Sequence, residues 1–162
     1  MSGIDEDTYR AIMARLVSGV SVVTTRLGNK DLAMTATSIV SVSLDPPTVL
    51  FTVHEDARVA QAIHAGQGWV VNILGDQAGP VADWLASPGR PLINQLTTIP
   101  HNSAEWSQAA ILTQAASWVE CETTWVKQAA SHIVVVGEVV GGGIQPEVTG
   151  GLVHAYGRIE PY

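Results

Sequence analysis

The side chains best suited to acid–base or metal chemistry in this sequence of 162 residues are five histidines: His54, His64, His101, His132 and His154. None belongs to an H-E-x-x-H motif or to another closely spaced pair of ligands. Cys121 is the only cysteine, which excludes an intramolecular disulfide and a thiolate metal cage. We predict no metal site, and a site assembled from distant positions stays open as an alternative.

Common enzyme motifs are missing from the chain. No segment matches G-x-x-x-x-G-K-[ST], G-x-G-x-x-G or G-x-S-x-G, so the P-loop, the dinucleotide-binding fingerprint and the hydrolase elbow are absent as local signals. Glu120, Glu122 and Glu138 alternate on predicted strands. We therefore expect these carboxylates on a solvent-exposed face of a sheet.

Composition and charge narrow the class of protein. Hydrophobic residues make up 46% of the chain and charged residues 14%, which is typical of a folded domain and unlike a disordered chain. Eight Lys and Arg against fifteen Asp and Glu give a net charge of −7, which argues against a nucleic-acid partner. Because cations are few, a bound phosphate would depend on one or two arginines and on backbone N–H groups.

The start of the chain predicts no targeting segment. MSGIDEDTYR is acidic and lacks the apolar run of a signal peptide. No segment of the sequence reaches the ~18 apolar residues of a membrane helix. We therefore expect a soluble, cytoplasmic protein with no membrane partner, in agreement with its single cysteine.

Short helices and one long loop are predicted around a β scaffold. Residues 4–17 place apolar side chains three and four positions apart, which predicts an amphipathic helix. Residues 56–65, with Asp56 as the expected cap, and residues 77–86 predict two more. Residues 87–106 are rich in proline and show no periodicity, so we predict an ordered loop that either covers a ligand or wraps the periphery.

Alternating and β-branched runs predict six or seven mostly antiparallel strands. They lie at 19–25, 36–44, 48–53, 68–74, 117–126, 132–140 and 152–159. Short turns join most of them, whereas parallel neighbours would need a helical crossover. The pattern predicts one domain over residues 1–162, of α+β class but mostly β, built as a small closed barrel.

Several segments together resemble a known family. GVSVVTT and LAMTATSIVSVSLDPP, within residues 19–47, resemble the signature of the flavin reductase family. The match continues through TVLFTVHEDARVAQAI, WVVNIL, SWVEC and SHIVVVGEV. The resemblance spans most of the chain outside residues 76–116, and it implies a split antiparallel β-barrel with a few short helices that binds FMN or FAD.

The resemblance also implies a cofactor site. Residues 34–38 would run along the flavin ring, because small side chains allow close approach and hydroxyl and backbone groups bind its polar edge. The implied cofactor-binding residues are Met34, Thr35, Ala36, Thr37, Ser38, Phe51, Thr52, Val53, His54, Ala57, Arg58, Val59 and Asn72. The alternatives are a strand with solvent-facing hydroxyls at 34–38 and, for Asn72, a bond to a neighbouring loop.

Arg58 is expected to hold the flavin phosphate. It falls in the first helical turn, where free N–H groups favour an anion and a guanidinium adds a bidentate partner. Ala57 and Val59 stand where relatives carry Ser and Thr, which leaves backbone N–H groups and Arg58 for this task. The alternative is an exposed arginine paired with Glu55 or Asp56.

His132 is the implied catalytic residue. Ala130, Ser131 and His132 stand where relatives carry a Gly-Asp-His motif linked to nicotinamide nucleotide binding and hydride transfer. The imidazole could stack on the nicotinamide or hydrogen-bond to its carboxamide. A solvated histidine at a strand end is the alternative.

The function implied by the resemblance is an NAD(P)H:flavin oxidoreductase. It would transfer a hydride from NADH or NADPH to FMN or FAD and supply reduced flavin to a partner monooxygenase. The family also implies a homodimer with the flavin near the subunit interface. A second hypothesis is a flavin-binding module without turnover, and a third is a structural β-protein without a ligand.

Overall fold

A computed structural model describes residues 3–92 and 94–162. The strands are β1 Ser18–Gly19, β2 Ser21–Leu27, β3 Lys30–Ala36, β4 Val40–Leu44, β5 Pro47–His54, β6 Trp69–Leu74, β7 His101–Ser103, β8 Ala110–Leu112, β9 Ala115–Ala129, β10 His132–Ile144, β11 Leu152–Ala155 and β12 Arg158–Pro161. The helices are α1 Glu6–Met13, α2 Arg58–His64 and α3 Gly79–Ala86, with a 3-10 turn at Asp76–Ala78. No helix among these residues is long and apolar enough to cross a membrane.

A seven-stranded sheet forms the body of the protein, in the order β3-β2-β6-β9-β10-β5-β4. Every pair of neighbouring strands in it is antiparallel. A three-stranded sheet, β1-β11-β12, and the pair β7-β8 accompany it. The predicted class, mostly β with a split antiparallel barrel and a few short helices, is confirmed.

Side chains from β2, β5, β6 and β10 fill the barrel interior. Val23, Phe51, Trp69 and Val135 are among its fully buried residues, and the Phe51 and Trp69 rings meet edge to face with centroids 4.8 Å apart. A Cβ on Gly137 would lie 2.5 Å from the Trp69 ring. Glycine at this position of β10 therefore makes room for the largest core side chain.

The long hairpin predicted near the end of the chain is confirmed and consists of β9 and β10. Ala129 pairs with His132 next to the turn, and Ser117 pairs with Ile144 at the far end. The predicted final strand, by contrast, is two strands. Tyr156 and Gly157 have φ of +50° and +71°, the left-handed values that a two-residue hairpin turn between β11 and β12 requires.

The carboxylate of Glu120 contradicts the predicted solvent face. Only 3% of this residue is exposed, and its Oε1 accepts hydrogen bonds from the N–H groups of Trp106 and Ser107 and from the Ser107 hydroxyl. Glu122 and Glu138 are exposed as predicted. Strand alternation missed Glu120 because the loop before β8 folds over this face of the sheet.

The helix starts differ in how they are capped. Asp5 caps α1, and hydrogen bonds from Thr8 lower the pKa of its carboxyl. The predicted cap of α2 is wrong, since that helix begins after Ala57, while the N–H of Asp56 donates to Nδ1 of His54 at 3.2 Å. The start of α2 therefore keeps its first N–H groups without a side-chain cap.

Candidate active site

Two adjoining cavities follow the outer edge of β3. The first, here the strand cavity, has a volume of about 430 Å³ and is lined by residues 34–38, 52–54, 85–86, Ala57, Arg90 and His132. The second, the loop cavity, has about 400 Å³ and is lined by residues 33–34, 56–59, 87–90, Gln61, Leu92 and Gln95. Met34, Ala57 and Arg90 border both, so the two cavities form one continuous cleft.

The outer edge of β3 is covered by side chains at Ala33 and open at Thr35. The Ala33 N–H donates to Oε1 of Gln95 at 2.9 Å, and the Ala33 carbonyl accepts from Nη2 of Arg90 at 3.0 Å. Backbone groups of an edge strand point outward at every second residue, so those of Thr35 face the strand cavity. No backbone partner for them lies among the described residues, which leaves a donor and an acceptor for a ligand.

The hydroxyl groups of residues 35–38 are not equally available. Thr35 donates to the Ala82 carbonyl at 2.6 Å, and Ser38 binds both backbone groups of Thr52. The Thr37 side chain is exposed, and its hydroxyl has no partner in the part of the chain that the structure describes. Thr37 is therefore the hydroxyl best placed to bind a ligand in the strand cavity.

The end of β5 contributes three of its four predicted residues to the cleft. Thr52, Val53 and His54 line the strand cavity, although Val53 is only 2% exposed and falls on the core face with Phe51. Phe51 contradicts its prediction as a cofactor contact, because its side chain is fully buried against the Trp69 ring. The alternation of a strand sends neighbouring side chains to opposite faces, and Phe51 falls on the core face.

Asn72 also contradicts its assignment to the cofactor. Its side chain is fully buried, donates to the carbonyls of Val22 and Ala110 at 3.2 Å, and accepts the Leu112 N–H at 2.8 Å. The alternative interpretation, a strand asparagine that binds a neighbouring segment, is confirmed. Asn72 joins β6 to β8 and has no group left for a ligand.

Arg58 is the first residue of α2, in the helical turn where the sequence predicts it, and it lines the loop cavity. Its Nη1 donates to Oε1 of Gln61 at 3.1 Å. Neither Glu55 nor Asp56 forms an ion pair with it among the described residues, so the alternative of a simple surface ion pair is not supported. Ala57 and Val59 line the same cavity, beside the uncapped start of α2.

Arg90 was not anticipated, although it lies at the centre of the cleft. It is half-buried, and its Nη1 and Nη2 are held by the carbonyls of Ser87 and Ala33. The buried Nε has no partner within residues 3–92 and 94–162, and burial lowers the pKa of the guanidinium. Arg90 is the only Lys or Arg in residues 87–106, which is the signal that could have identified it.

Each of the two alternatives for the loop at 87–106 describes part of it: its first residues border the cleft, whereas Trp106 at its end binds Glu120 of β9, outside both cavities. Arg90 and Gln95 bind both backbone groups of Ala33, and residues 87–90 line the loop cavity. Ile93 lies outside the described residues. β7 interrupts the end of the loop at His101–Ser103 and pairs with β8.

His132 faces His54 across the β5 and β10 pair. The two residues are direct partners in the strand register, and their rings meet edge to face with centroids 5.2 Å apart. Nδ1 of His132 lies 3.1 Å from the Ser131 hydroxyl, and Nδ1 of His54 accepts the Asp56 N–H. The structure thus places both imidazoles at the strand cavity, beside Thr52 and residues 34–38.

Known proteins share this arrangement of strands over nearly the whole chain. The sequence model of the flavin reductase like domain matches residues 13–162. The chain belongs to the flavin reductase family.

Three relatives illustrate the family. The chain is 32% identical over 131 residues to an NADH-dependent FMN reductase of Streptomyces nodosus subsp. asukaensis, covering 81% of this chain and 71% of that protein. An NADH:FAD oxidoreductase of Streptomyces globisporus has a TM-score of 0.87 at 28% identity, over 100% of this chain and 98% of that one. The flavin reductase component of a bacterial two-component tryptophan halogenase has a TM-score of 0.89 at 28% identity, over 97% and 98% of the two chains.

The cleft of this flavin reductase fits a flavin in volume and in the chemistry of its lining residues. Its volume falls within the ~300–1,000 Å³ of small-molecule sites. The open backbone groups of Thr35 suit the polar edge of the ring, and Arg58 and Arg90 supply cations for a phosphate. No cluster of three or more metal-ligating side chains occurs among the described residues.

Proposed function

We propose that the strand cavity is where this flavin reductase binds the ring of FMN or FAD and where a nicotinamide nucleotide delivers its hydride. The observation that carries this proposal is the open edge of β3 at Thr35, next to an edge that Arg90 and Gln95 cover at Ala33. Such an edge offers a donor and an acceptor side by side. This pair matches the alternating acceptors and donors along the edge of a flavin ring.

Each residue has a distinct role in this proposal. The flavin, when bound, supplies the acceptor for the hydride, so that NADH and one proton yield NAD⁺ and dihydroflavin. Thr35 and Thr37 orient the ring through backbone and hydroxyl groups. Arg58 and Arg90 hold the phosphate, and His132, supported by His54, orients the nicotinamide. Catalysis then rests mainly on the alignment of two planar rings.

We propose NADH as the preferred donor, since two of the three relatives described above carry NADH in their names. A two-component oxygenase or halogenase that uses the reduced flavin is the proposed partner, supported by the halogenase relative. A cytoplasmic location is part of the proposal, and the single buried thiol of Cys121 suits a reducing compartment.

We also propose a homodimer. The apolar face of α1 carries Tyr9, Ile12 and Met13, and Leu16 follows just after the helix; each is more than 40% exposed. α1 buries none of its residues against the described part of the chain. Contiguous apolar surface of this kind marks an interface. Light scattering on the eluting protein should give twice the chain mass, and Leu16→Arg should shift the protein toward the monomer.

The experiment that tests the proposed reaction follows flavin absorbance near 450 nm under anaerobic conditions. Protein is mixed with FMN or FAD and then with NADH or NADPH, and samples without protein give the background rate. We expect rapid bleaching with NADH. Flavin binding, detected by fluorescence, without bleaching above background would favour the binding-module hypothesis, and an absence of binding would favour a protein without this ligand.

A further inference from the structure

A third cavity adjoins the strand cavity on the side away from the loop. This hairpin cavity has a volume of about 580 Å³. It shares Thr35, Thr37 and Ala86 with the strand cavity, and its far wall is the turn and strand that follow His154 on β11. A ligand whose reacting end lies in the strand cavity can therefore extend into the hairpin cavity without leaving the cleft.

The wall formed by the β11-β12 hairpin is held at its tip. The Tyr156 N–H donates to the Ala14 carbonyl, just after α1. The Arg15 guanidinium lies 5.9 Å from the centre of the Tyr156 ring. Because the two-residue turn itself fixes the strand register, Arg158 and Glu160 on β12 are presented to the cavity from a defined position.

The charges around the hairpin cavity are mixed. Arg158 is exposed and forms no ion pair within the described residues. Asp83 on α3 and Glu160 on β12 contribute carboxylates, and His154 adds an imidazole. A guanidinium suits a phosphate, whereas carboxylates accept hydrogen bonds from ribose hydroxyls and repel a further phosphate.

We infer that the hairpin cavity binds the adenylate half of NADH. Arg158 contacts the pyrophosphate, and Asp83 and Glu160 accept the ribose hydroxyls of the adenosine. The same two carboxylates disfavour NADPH, because its additional 2′-phosphate would lie against them. This inference rests on the proposed reductase function and adds to it the determinants of nucleotide choice.

The flavin used in the assay distinguishes this inference from its main alternative, in which the hairpin cavity binds part of the flavin. FAD also carries an adenylate, which could occupy the hairpin cavity instead. FMN has none, so in assays with FMN as the acceptor only the nicotinamide nucleotide can use the cavity. A variant that raises KM for FAD but leaves KM for NADH unchanged would assign the cavity to the flavin and overturn the inference.

The first test is Arg158→Ala with FMN as acceptor. We expect KM for NADH to rise about tenfold and kcat to change less than about twofold, since a charge-assisted contact to phosphate remote from the reacting atoms is lost. Lys30→Ala is the matched control, because it removes one exposed positive charge at the opposite end of β3. An unchanged KM for NADH in Arg158→Ala, with FMN reduction intact, would overturn the inference.

The second test changes the carboxylates. In the double variant Asp83→Asn, Glu160→Gln, we expect the ratio of kcat/KM for NADPH to that for NADH to rise about tenfold. Glu122→Gln removes an exposed carboxylate elsewhere on the barrel and serves as the control. If nucleotide preference stays at the wild-type ratio, Asp83 and Glu160 do not determine it.

A binding measurement tests the inference without requiring the protein to reduce flavin. ADP-ribose lacks the nicotinamide, so its calorimetric titration reports the adenylate site whether or not the protein reduces flavin. We expect Arg158→Ala to weaken ADP-ribose binding about tenfold, and Lys30→Ala to leave it unchanged. Equal binding by wild type and Arg158→Ala overturns this inference alone, whereas a lack of FMN reduction in the wild type overturns the proposed function alone.

Discussion

Thr35 and Asn72 lie in one row across the sheet, with Val22 between them, yet their surroundings are opposite. Asn72 is fully buried, and its amide is bound on both sides by backbone groups of β2 and β8. Thr35 lies on the edge strand, where its backbone groups face a cavity. Similar polar side chains thus hold the barrel together in its interior and present free hydrogen-bonding groups to a ligand at its edge.

We expect the largest effect on stability from a substitution that breaks the hydrogen bonds of Asn72 in the barrel interior. Asn72→Ala leaves the buried Leu112 N–H without its partner, and the Ala110 carbonyl keeps only the Thr24 hydroxyl as a donor. We therefore expect the free energy of unfolding to fall by roughly 2–4 kcal/mol. Chemical denaturation measures this loss. Ile73→Ala, half-exposed on the same strand, should cost less.

The affinity of the same variant for FMN tests whether Asn72 also contributes to flavin binding. The folded fraction of Asn72→Ala should keep wild-type affinity for FMN, since Asn72 has no group directed at the cleft. A large loss of FMN affinity at unchanged stability would place Asn72 in the site after all and erase the contrast with Thr35.

The next effect concerns the two arginines of the loop cavity. Arg90→Ala should weaken FMN binding by about 10–100-fold, because a half-buried guanidinium forms strong bonds to phosphate. It should also lower the melting temperature, because the contacts to Ala33 and Ser87 are lost. Arg58→Ala should weaken FMN binding about fivefold and leave the melting temperature unchanged, because Arg58 is exposed.

Fluorescence titration of FMN, run beside thermal unfolding, measures both quantities. Lys30→Ala again controls for the loss of one positive charge. Equal effects of the two substitutions on binding and on stability would show that the loop does not bring Arg90 into the site as a second anchor.

An effect that is absent at neutral pH comes from the buried thiol of Cys121. Burial in the core, followed by the neighbouring charge of Glu120, raises the pKa of this thiol to about 12. Above a pH of about 9 the unfolded thiol ionises while the native one stays protonated, so the native state loses up to about 1.4 kcal/mol per pH unit until the native pKa is reached.

Comparison with Cys121→Ala isolates this contribution from the other groups that titrate at high pH. We expect the difference in unfolding free energy between wild type and variant to change with pH only above a pH of about 9. A difference that stays constant up to a pH of about 11 would mean that the thiol is not buried as described.

The smallest effect distinguishes the hydroxyl of Thr35 on β3 from that of Thr37, just after the end of this strand. Thr37→Val removes the hydroxyl that is free to bind a ligand, and KM for FMN should rise about threefold to fivefold with no change in stability. Thr35→Val removes the bond to the Ala82 carbonyl and should instead lower the unfolding free energy by about 1 kcal/mol. The opposite assignment of the two effects would contradict the role given to Thr37.

Much of this arrangement could be predicted from the sequence. The alternation of strands identified the long hairpin, and the order of motifs identified the family and the placement of Arg58 and His132 at the cleft. The local sequence pattern could not distinguish the buried Phe51 and Asn72 from residues that face the cleft. Tertiary contacts decide which face of a strand is buried and which segment packs on it. Glu120 was misjudged and Arg90 was missed for the same reason: residues 106 and 107 cover Glu120, and Arg90 is half-buried because its loop packs against Ala33 of β3.

The most direct test of the central claim is a single turnover in a stopped-flow instrument. Protein saturated with FMN is mixed anaerobically with NADH, or with NADH deuterated at C4 in the transferred position, and absorbance near 450 nm is followed. We predict bleaching far faster than free FMN, slowed by deuterium. FMN that binds the cleft and is bleached no faster than in buffer, without an isotope effect, would contradict the account.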